Sequence, residues 1–340
     1  MWCGTWWATS PRALAAADPR RATVVPVARR RVLVQTLVGM RAFMAPRGVR
    51  AGASGSSAAA AAGTITIGGD LTVNRLGFGA MRLAGGGQVW GEPRDAAEAR
   101  RVLRRALELG VNFIDTADAY GPDINERLIC EALHPYPRGL VIATKGGIVR
   151  PAAPDWMADG HPDHLREACE GSLRRLKLER IDLYQLHCVD DQVPLEDSIG
   201  ALAELQKDGK IRHIGVSNFQ LAELARAQRI ARIVSVQNRF NFAQRQSADV
   251  LEACARDGLV FIPWAPIAHG SPQTLARANG ALEALASAHR ASVVQIAIAW
   301  LLARSPAMLP IPGTSSVAHL EQNVAAAGIR LTGAELARLA

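Results

Sequence analysis

The stretch Gly110-Val-Asn-Phe-Ile-Asp-Thr-Ala-Asp-Ala-Tyr120-Gly decides the fold of this chain. Its short apolar run, Val111 to Ile114, predicts a buried parallel strand, and Asp115 and Tyr120 follow that strand in a loop. In α/β proteins, the loops after the carboxyl ends of parallel strands carry the ligands and the chemistry. A carboxylate and a phenol in such a loop predict proton transfer, and we expect neighbouring strands to supply their partners.

The sequence on both sides of this stretch alternates between short apolar runs and amphipathic helical segments. Eight apolar runs begin near Leu76, Val111, Leu140, Ile181, Ile211, Ile233, Val260 and Met308. Helices are predicted at Arg94–Leu109, Ile124–Leu133, His164–Lys177, Leu195–Lys207, Leu221–Ile230, Asp249–Arg256, Thr274–Ser287, Val293–Ala303 and Val317–Ala326. Eight βα units within residues 63–340 predict a single (β/α)8 TIM barrel, whose usual size is about 250 residues.

The segment before the first barrel strand alternates in period two around a pair of glycines. Thr64–Ile67 and Leu71–Val73 flank Gly68 and Gly69, which predicts an N-terminal β-hairpin. A doubly wound open sheet is the alternative fold, and it would carry a glycine-rich dinucleotide loop after its first strand. The stretch Leu76-Gly-Phe-Gly-Ala-Met lacks the third glycine and does not lead straight into a helix, so the barrel is favoured.

The net charge of +8 is concentrated at the amino terminus. Residues 1–62 hold nine arginines, no lysine and one acid, Asp18, which leaves 30 basic and 30 acidic residues in the body. This neutral body gives no electrostatic reason to expect nucleic acid or an anionic membrane as a partner. The five cysteines, none of them in a C-x-x-C pair, predict a reduced intracellular protein without a structural metal.

Residues 1–62 differ from the body and predict a disordered N-terminal extension, followed by a barrel domain at 63–340. The extension is rich in alanine and arginine and ends in Gly-Ala-Ser-Gly-Ser-Ser and the alanines 58–62. A dispensable extension would leave the protein cytoplasmic, whereas a transit peptide would send it to a plastid or mitochondrion. A secretory or twin-arginine signal fits less well, because the apolar run after Arg30 and Arg31, Val32 to Met40, is only nine residues long before Arg41.

The second, third and fourth predicted strands deliver Asp115, Lys145 and His187 to one rim of the barrel, and Tyr120 follows the first of these residues. Each alone has a structural explanation, as a turn residue, a rim aromatic, a solvated charge or a core histidine. Their coincidence at three successive strand ends indicates a site. Lys145 is informative because the chain has 35 arginines and only four lysines.

These residue types suit proton transfer. The pKa of a tyrosine, near 10, lies about three units above neutral pH, a difference of roughly 4 kcal/mol. A cation about 4 Å away contributes energy of this order at an effective dielectric constant near 20. We therefore predict that Lys145 lowers the pKa of Tyr120, that Asp115 keeps Lys145 charged, and that His187 orients a carbonyl oxygen.

Six motifs together resemble the aldo-keto reductase superfamily, within a bacterial and plant-like subgroup that includes pyridoxal reductases. They are Asn112-Phe-Ile-Asp-Thr-Ala-Asp-Ala-Tyr120, Ala143-Thr-Lys145, Asp182-Leu-Tyr-Gln-Leu-His187, Gly215-Val-Ser-Asn-Phe219, Val236-Gln-Asn238 and Ile311-Pro-Gly-Thr-Ser-Ser316. The resemblance implies a (β/α)8 barrel and NADPH-dependent reduction of an aldehyde or ketone without a metal. It makes Tyr120 the general acid, tuned by Lys145 and Asp115, and it assigns His187 to the substrate.

The resemblance also implies a set of cofactor-binding residues. Ser217, Asn218 and Gln237 would hold the nicotinamide carboxamide, Trp264 would stack on its ring, and the segment 313–323 would hold the adenosine phosphate. The full set is Gly79, Met81, Ser217, Asn218, Gln237, Trp264, Gly313, Thr314, Ser315, Ser316, His319, Gln322 and Asn323. Gly313 stands where a lysine is common and His319 where an arginine usually contacts the 2′-phosphate, so NADPH is expected and NADH stays open.

The substrate is expected to be a small carbonyl compound, with pyridoxal as one candidate. Trp90, Trp156 and Met157 lie in the loops after the first and third predicted strands and are candidate pocket walls. Two other functions stay open: a non-catalytic barrel that binds a nicotinamide cofactor as a sensor or regulatory subunit, and an aldolase that forms a Schiff base on Lys145. The sequence does not predict the oligomeric state.

Overall fold

The computed structural model describes residues 57–86, 88–268 and 280–339. Its first strands form the predicted hairpin, in which β1 (Thr64–Ile67) pairs antiparallel with β2 (Leu71–Asn74). Gly68 and Gly69 adopt φ values of 65° and 94°, which glycine accepts readily. One face of the hairpin is buried against the side chains that fill the barrel interior, so the hairpin closes one end of the barrel.

Seven parallel strands form the barrel wall, in the order β11, β10, β9, β8, β5, β4, β3. They are β3 (Phe78–Gly79), β4 (Phe113–Asp115), β5 (Val141–Gly146), β8 (Ile181–Leu186), β9 (Ile211–Ser217), β10 (Ile233–Arg239) and β11 (Val260–Trp264). A second small hairpin, β6 (Ile148–Val149) with β7 (Met157–Ala158), lies in the loop after β5 and was not predicted.

The eighth predicted strand closes the barrel without forming a regular strand. Phe261 N–H donates to Ala307 O (2.8 Å), Leu309 N–H donates to Phe261 O (2.9 Å), and Gly77 N–H donates to Pro310 O (2.9 Å). Pro310 and Pro312 have no N–H group, so a full ladder cannot form here. The predicted (β/α)8 class is confirmed, with seven regular strands and one irregular closing segment among the described residues.

Ten α-helices surround the wall within the described residues. They are α1 (Ala96–Glu108), α2 (Ile124–Leu133), α3 (Pro162–Leu176), α4 (Leu195–Lys207), α5 (Leu221–Gln228), α6 (Ala248–Asp257), α7 (Gly280–Ala288), α8 (Val293–Arg304), α9 (Val317–Ala325) and α10 (Gly333–Arg338). Most predicted helices match within a few residues, although residues 274–279 of the seventh lie outside the described part. The sequence did not predict α10, which begins with a capping box of Thr332 and Glu335.

Helix α8 is apolar on nearly every side because it lies between the barrel and outer elements. Residues 296–301 of this helix are all buried, and the Trp300 ring stacks on Phe240 with centroids 5.9 Å apart. Among the described helices, none alone has the length and apolar character to cross a membrane. Helices α7 and α8 have this length and apolar character only when they are taken together, and the angle between their axes is 98°.

Part of the segment that we predicted to be disordered is folded. We expected the disordered extension to run to Ala62, but Ala58–Ala62 forms a 3-10 helix. Ala59 is fully buried, and its N–H donates to Leu109 O (2.9 Å). Alanine folds readily into helical turns and is small enough to pack on α1, so a run that looked like low-complexity sequence covers the barrel. The rest of the predicted extension lies outside the described residues.

Candidate active site

The carboxyl ends of three adjacent strands bring the predicted catalytic residues together. Strand β5 lies between β4 and β8, so Asp115 at the end of β4, Lys145 on β5 and His187 just after β8 meet at one rim. Tyr120 reaches the same place from the loop after β4. All four side chains are buried: Lys145 is 0% exposed, and Tyr120, with 6%, is the most exposed.

The Lys145 ammonium uses all three of its N–H donors inside this cluster. Nζ donates to Asp115 Oδ1 at 2.6 Å, to Thr116 O at 2.8 Å and to Tyr120 Oη at 3.2 Å. The other carboxylate oxygen of Asp115 accepts from Gln185 Nε2 (3.1 Å) and Gln237 Nε2 (2.8 Å). These bonds satisfy the buried charge pair and fix the lysine beside the phenol.

The pKa of Tyr120 differs from our prediction. Burial raises it above its usual value of 10; the Lys145 charge lowers it, and the Asp115 charge raises it again. Lys145 thus lowers the pKa of Tyr120, as predicted, but burial outweighs this effect, and the sequence shows neither the depth of burial nor the closeness of a second charge. For Lys145, burial acts to lower the pKa, but Asp115 and Tyr120 together raise it, so the lysine stays charged.

His187 is a neutral imidazole at the rim. Burial, then the charges of Lys145 and Arg150, hold its pKa well below the ordinary 6.5. Its ring lies edge-on to Tyr120 with centroids 5.8 Å apart, and its buried Nδ1 has no hydrogen-bond partner among the described residues. A neutral imidazole carries one donor and one acceptor nitrogen and can orient a polar ligand without adding charge.

Trp156 stands beside these two residues, as the sequence suggested for a pocket wall. Its ring centroid is 6.3 Å from that of Tyr120 and 6.5 Å from that of His187, in both cases edge-on. Trp90 lies on the same side of the rim, and the Arg150 guanidinium packs against both indoles. Met157 is 54% exposed at the edge of this region. The rim therefore has an aromatic wall next to the phenol.

The residues predicted to hold the nicotinamide are linked to one another at the ends of β9, β10 and β11. Ser217 Oγ donates to Gln237 O (2.9 Å), and Asn218 Nδ2 donates to Ser217 Oγ (3.2 Å) and His187 O (3.0 Å). Trp264 Nε1 donates to Asn218 Oδ1 (2.9 Å). Hydroxyl and amide groups beside an indole fit a carboxamide on an aromatic ring.

The residues predicted to hold the adenosine phosphate lie at the start of α9 and along it. Thr314 Oγ1 accepts a hydrogen bond from Ser316 N–H (3.2 Å). The side chain of Asn323 is buried, whereas three others are exposed: Ser315, His319 and Gln322. One N–H at this helix start is already used, because Val317 N–H donates to Glu98 Oε1 (3.1 Å). The helix start suits an anion, and in this structure a carboxylate from α1 takes that role.

Gly313 and Gly79 lie in direct contact, far apart in sequence. A β-carbon at Gly313 would be 2.4 Å from Gly79 O, and one at Gly79 would be 2.7 Å from Ile311 O. A lysine at position 313 would therefore push the backbone of Gly79 away. The sequence alone does not reveal this constraint. The aliphatic stem of Arg82, which follows Met81, also lies here, with Cγ 3.6 Å from the position of a Gly313 β-carbon.

Sequence reasoning missed four residues of this region: Arg82, Glu98, Arg150 and Gln185. Gln185 could have been predicted from the sequence. It is two residues from both Leu183 and His187, so its side chain lies on the same face of β8 as theirs. The other three lie in a short 3-10 helix (Arg82), on α1 (Glu98) and in the loop after β6 (Arg150), and they are positioned by long-range contacts. Within the described residues, no three His, Cys, Asp or Glu side chains are close enough together to hold a metal ion.

A closed parallel barrel with buried ionisable side chains at its carboxyl rim defines an α/β-barrel enzyme. The sequence profile of the Aldo/keto reductase family matches residues 75–340. The chain belongs to this family and is an NAD(P)H-dependent oxidoreductase. The recognition made from the six motifs is confirmed.

Individual relatives agree with this assignment. An uncharacterized oxidoreductase of Schizosaccharomyces pombe is 47% identical over 287 residues, which cover 84% of this chain and 92% of that protein. Pyridoxine 4-dehydrogenase of Escherichia coli is 44% identical over 282 residues, covering 81% and 96%. A crystal structure of an aldo-keto reductase from Klebsiella pneumoniae in complex with NADPH aligns with a TM-score of 0.69 and 29% identity, covering 81% of this chain and 93% of that one.

Proposed function

We propose that this enzyme reduces an aldehyde or ketone to an alcohol with NADPH, and that Tyr120 supplies the proton. The observation that carries the proposal is the contact between Lys145 Nζ and Tyr120 Oη, 3.2 Å, inside a cluster whose other lysine bonds are satisfied. A phenol next to a fixed ammonium can give up its proton to a carbonyl oxygen because the cation stabilises the phenolate that remains.

The raised pKa of Tyr120 gives this residue the protonated form that a general acid needs before reaction. Lys145 then offsets the charge that appears on the phenol oxygen as the proton leaves, and Asp115 holds Lys145 in place. His187, neutral at the rim, orients the carbonyl oxygen toward Tyr120 by a hydrogen bond. In this mechanism, the surroundings favour the transition-state charge and leave the resting phenol intact.

NADPH, when bound, supplies the hydride. Ser217, Asn218 and Gln237 would hold the carboxamide, and Trp264 would pack on the nicotinamide ring. The phosphate end would lie at the start of α9, near Ser315 and His319, where Glu98 now accepts from Val317 N–H. The NADPH complex of the Klebsiella pneumoniae relative supports the phosphorylated cofactor. We propose NADPH as the preferred cofactor and NADH as the weaker one.

Pyridoxal is our proposed substrate within the carbonyl class. The relative from Escherichia coli is a pyridoxine 4-dehydrogenase, and oxidation of pyridoxine at that carbon is the reverse of pyridoxal reduction. The aromatic wall of Trp156 and Trp90 suits a flat heteroaromatic aldehyde. We propose a cytoplasmic location; a transit function of residues 1–62 would instead place the enzyme in a plastid or mitochondrion.

The structure disfavours the Schiff-base alternative. An aldolase lysine attacks as a neutral amine, whereas the raised pKa of Lys145 and its bond to Asp115 keep it charged. A non-catalytic regulatory barrel would not need a phenol held against that ammonium.

The test is Tyr120→Phe with pyridoxal and NADPH, followed at the nicotinamide absorbance band. We expect turnover to fall about a hundredfold or more, while NADPH binding is unchanged, because general acid catalysis contributes about 10² to 10⁴. Tyr136→Phe is the matched control, since the Tyr136 hydroxyl donates to Leu176 O away from the rim. Near-normal turnover of Tyr120→Phe would refute the proposed role. No NADPH oxidation by the unmodified enzyme with any carbonyl would favour the regulatory barrel.

A further inference from the structure

Arg150 joins three separate loops at the rim of the barrel. It follows β6 directly and is buried, with 8% of its surface exposed. Nη1 donates to Val89 O and to Ala119 O, both at 3.3 Å, Nη2 donates to Gln88 O at 3.2 Å, and Nε donates to Asp155 O. A planar guanidinium with five fixed N–H donors is the one side chain that can serve several carbonyls in this way.

The same guanidinium supports both tryptophans of the aromatic wall. Arg150 Cζ lies 3.7 Å from the Trp156 ring centroid and 5.2 Å from that of Trp90. Trp156 in turn contacts the edges of Tyr120 and His187. The position of the wall relative to the reacting phenol therefore depends on Arg150.

The backbone at Val89 shows that the loop after β3 is held in a conformation that it would not adopt alone. Its φ is 54°, in the left-handed region that β-branched residues avoid. Its side chain is buried in the cluster that contains Tyr120, and its carbonyl accepts from Arg150 and from Gly121 N–H. Strained backbone of this kind persists where surrounding bonds enforce it, and it is common at ligand-binding sites.

We propose that Arg150 is a positioning residue that builds the substrate wall and thereby selects planar aromatic aldehydes over small aliphatic ones. It acts through Trp156, Trp90 and Val89 and does not reach the reacting atoms. This inference rests on the proposed carbonyl reduction. Arg150 also adds positive charge near His187, so its charge and its geometry have to be separated by experiment.

Arg150→Lys and Arg150→Met separate the two effects in steady-state assays with benzaldehyde and propanal. Lysine keeps the charge but donates from one compact point and cannot bridge three loops. We expect both variants to lose at least tenfold in kcat/KM for benzaldehyde, mainly through KM, and less than threefold for propanal. Restoration by lysine would show that only charge matters, and equal losses for both aldehydes would show general damage; either result overturns the proposal.

Arg245→Met is the matched control. Arg245 also lies over two aromatic rings, Phe242 and Trp300, and donates to the carbonyls of Phe242 and Leu339. We expect it to lower stability without changing the ratio of the two kcat/KM values. A changed ratio in this control would overturn the assignment to Arg150.

If the Arg150 variants do not fold, Trp156→Leu tests the same wall with Arg150 in place, and an unchanged aldehyde ratio would refute it. The failure of the proposed function gives a different pattern. If the unmodified enzyme reduces neither aldehyde, the proposed reaction is wrong. The role of the aromatic wall is then tested by pyridoxine binding, measured through the quenching of tryptophan fluorescence. An unchanged Kd in Arg150→Lys or Trp156→Leu would then overturn it.

Discussion

The two ends of the proposed cofactor site are built differently. At the strand ends, Lys145, Asp115 and Tyr120 are buried and their bonds to one another are complete. At the start of α9, Ser315 and His319 are exposed, and Glu98 already occupies a helix N–H. The proposed catalytic end is thus held by its own hydrogen bonds, whereas a phosphate bound at the start of α9, as we propose, would compete with the Glu98 carboxylate for a helix N–H.

This difference predicts where substitutions cost most. Breaking a buried charge pair leaves an uncompensated charge in a medium that solvates it poorly. Exposed pairs are screened by water and contribute little. The strand-end cluster should therefore respond strongly in stability and turnover, and the α9 start should respond mainly in cofactor affinity.

Lys145→Met should give the largest effect. It leaves Asp115 as a buried carboxylate without its cation, and we expect a loss of about 3–5 kcal/mol in the free energy of unfolding, measured by urea titration. Turnover should fall below detection, because Tyr120 loses its electrostatic partner.

Lys210→Met is the matched control for this variant. Lys210 pairs with Glu170 at 2.6 Å, but the two side chains are 39% and 41% exposed. We expect a much smaller change in stability and normal turnover. Equal losses in the two variants would contradict the contrast between the buried cluster and the surface.

His187 should give an intermediate effect that depends on pH. Its folded pKa lies well below 6.5, so the unfolded chain takes up a proton before the folded chain does as pH falls. The stability contribution is therefore complete above pH 6.5 and decreases as the pH drops from there toward the folded pKa. We expect the fall in Tm between about pH 7.5 and 5 to be smaller in His187→Asn than in the unmodified enzyme.

His319→Asn provides the comparison at the other end of the site, because His319 is exposed on α9. The fall in Tm of this variant over the same range should match that of the unmodified enzyme. A reduced fall in His319→Asn, or an unchanged one in His187→Asn, would contradict the assignment of the acid sensitivity to burial.

Glu98→Gln should give the smallest effect, confined to the cofactor. Removing this charge from the start of α9 should tighten NADPH binding about two- to fivefold and leave NADH nearly unchanged, because only NADPH carries the extra phosphate. Binding can be followed by quenching of protein fluorescence. Glu108→Gln, at the other end of α1, should change neither affinity. A matching gain for both cofactors would mean that Glu98 does not face the 2′-phosphate.

The convergence of the four catalytic candidates was predictable from sequence because parallel strands end at one rim, so position along a strand fixes position in space. Asp115, Lys145 and His187 needed no more than this. The direction of the Tyr120 pKa shift was not predictable, since it depends on the balance between burial and two charges at distances that only the folded structure supplies.

Contacts between distant parts of the chain account for most other differences. The approach of Gly313 to Gly79, the bond from Val317 to Glu98 and the four carbonyls around Arg150 join segments that carry no mutual signal in sequence. The disorder predicted for Ala58–Ala62 was wrong for the same reason, because contacts with the barrel surface hold this segment in a helix. Sequence patterns predicted which side chains meet at the rim, and tertiary contacts determined how these side chains are supported.

The complete use of the three Lys145 donors has a practical consequence for attaching the enzyme to a support. Of the four lysine side chains, this one is buried and charged, whereas Lys177, Lys207 and Lys210 lie at or just after the C-terminal ends of α3 and α4, at the end of the barrel opposite the rim. With the α-amino group blocked, amine-reactive resins should therefore couple through lysines at that opposite end, which would leave the mouth of the barrel facing the solution.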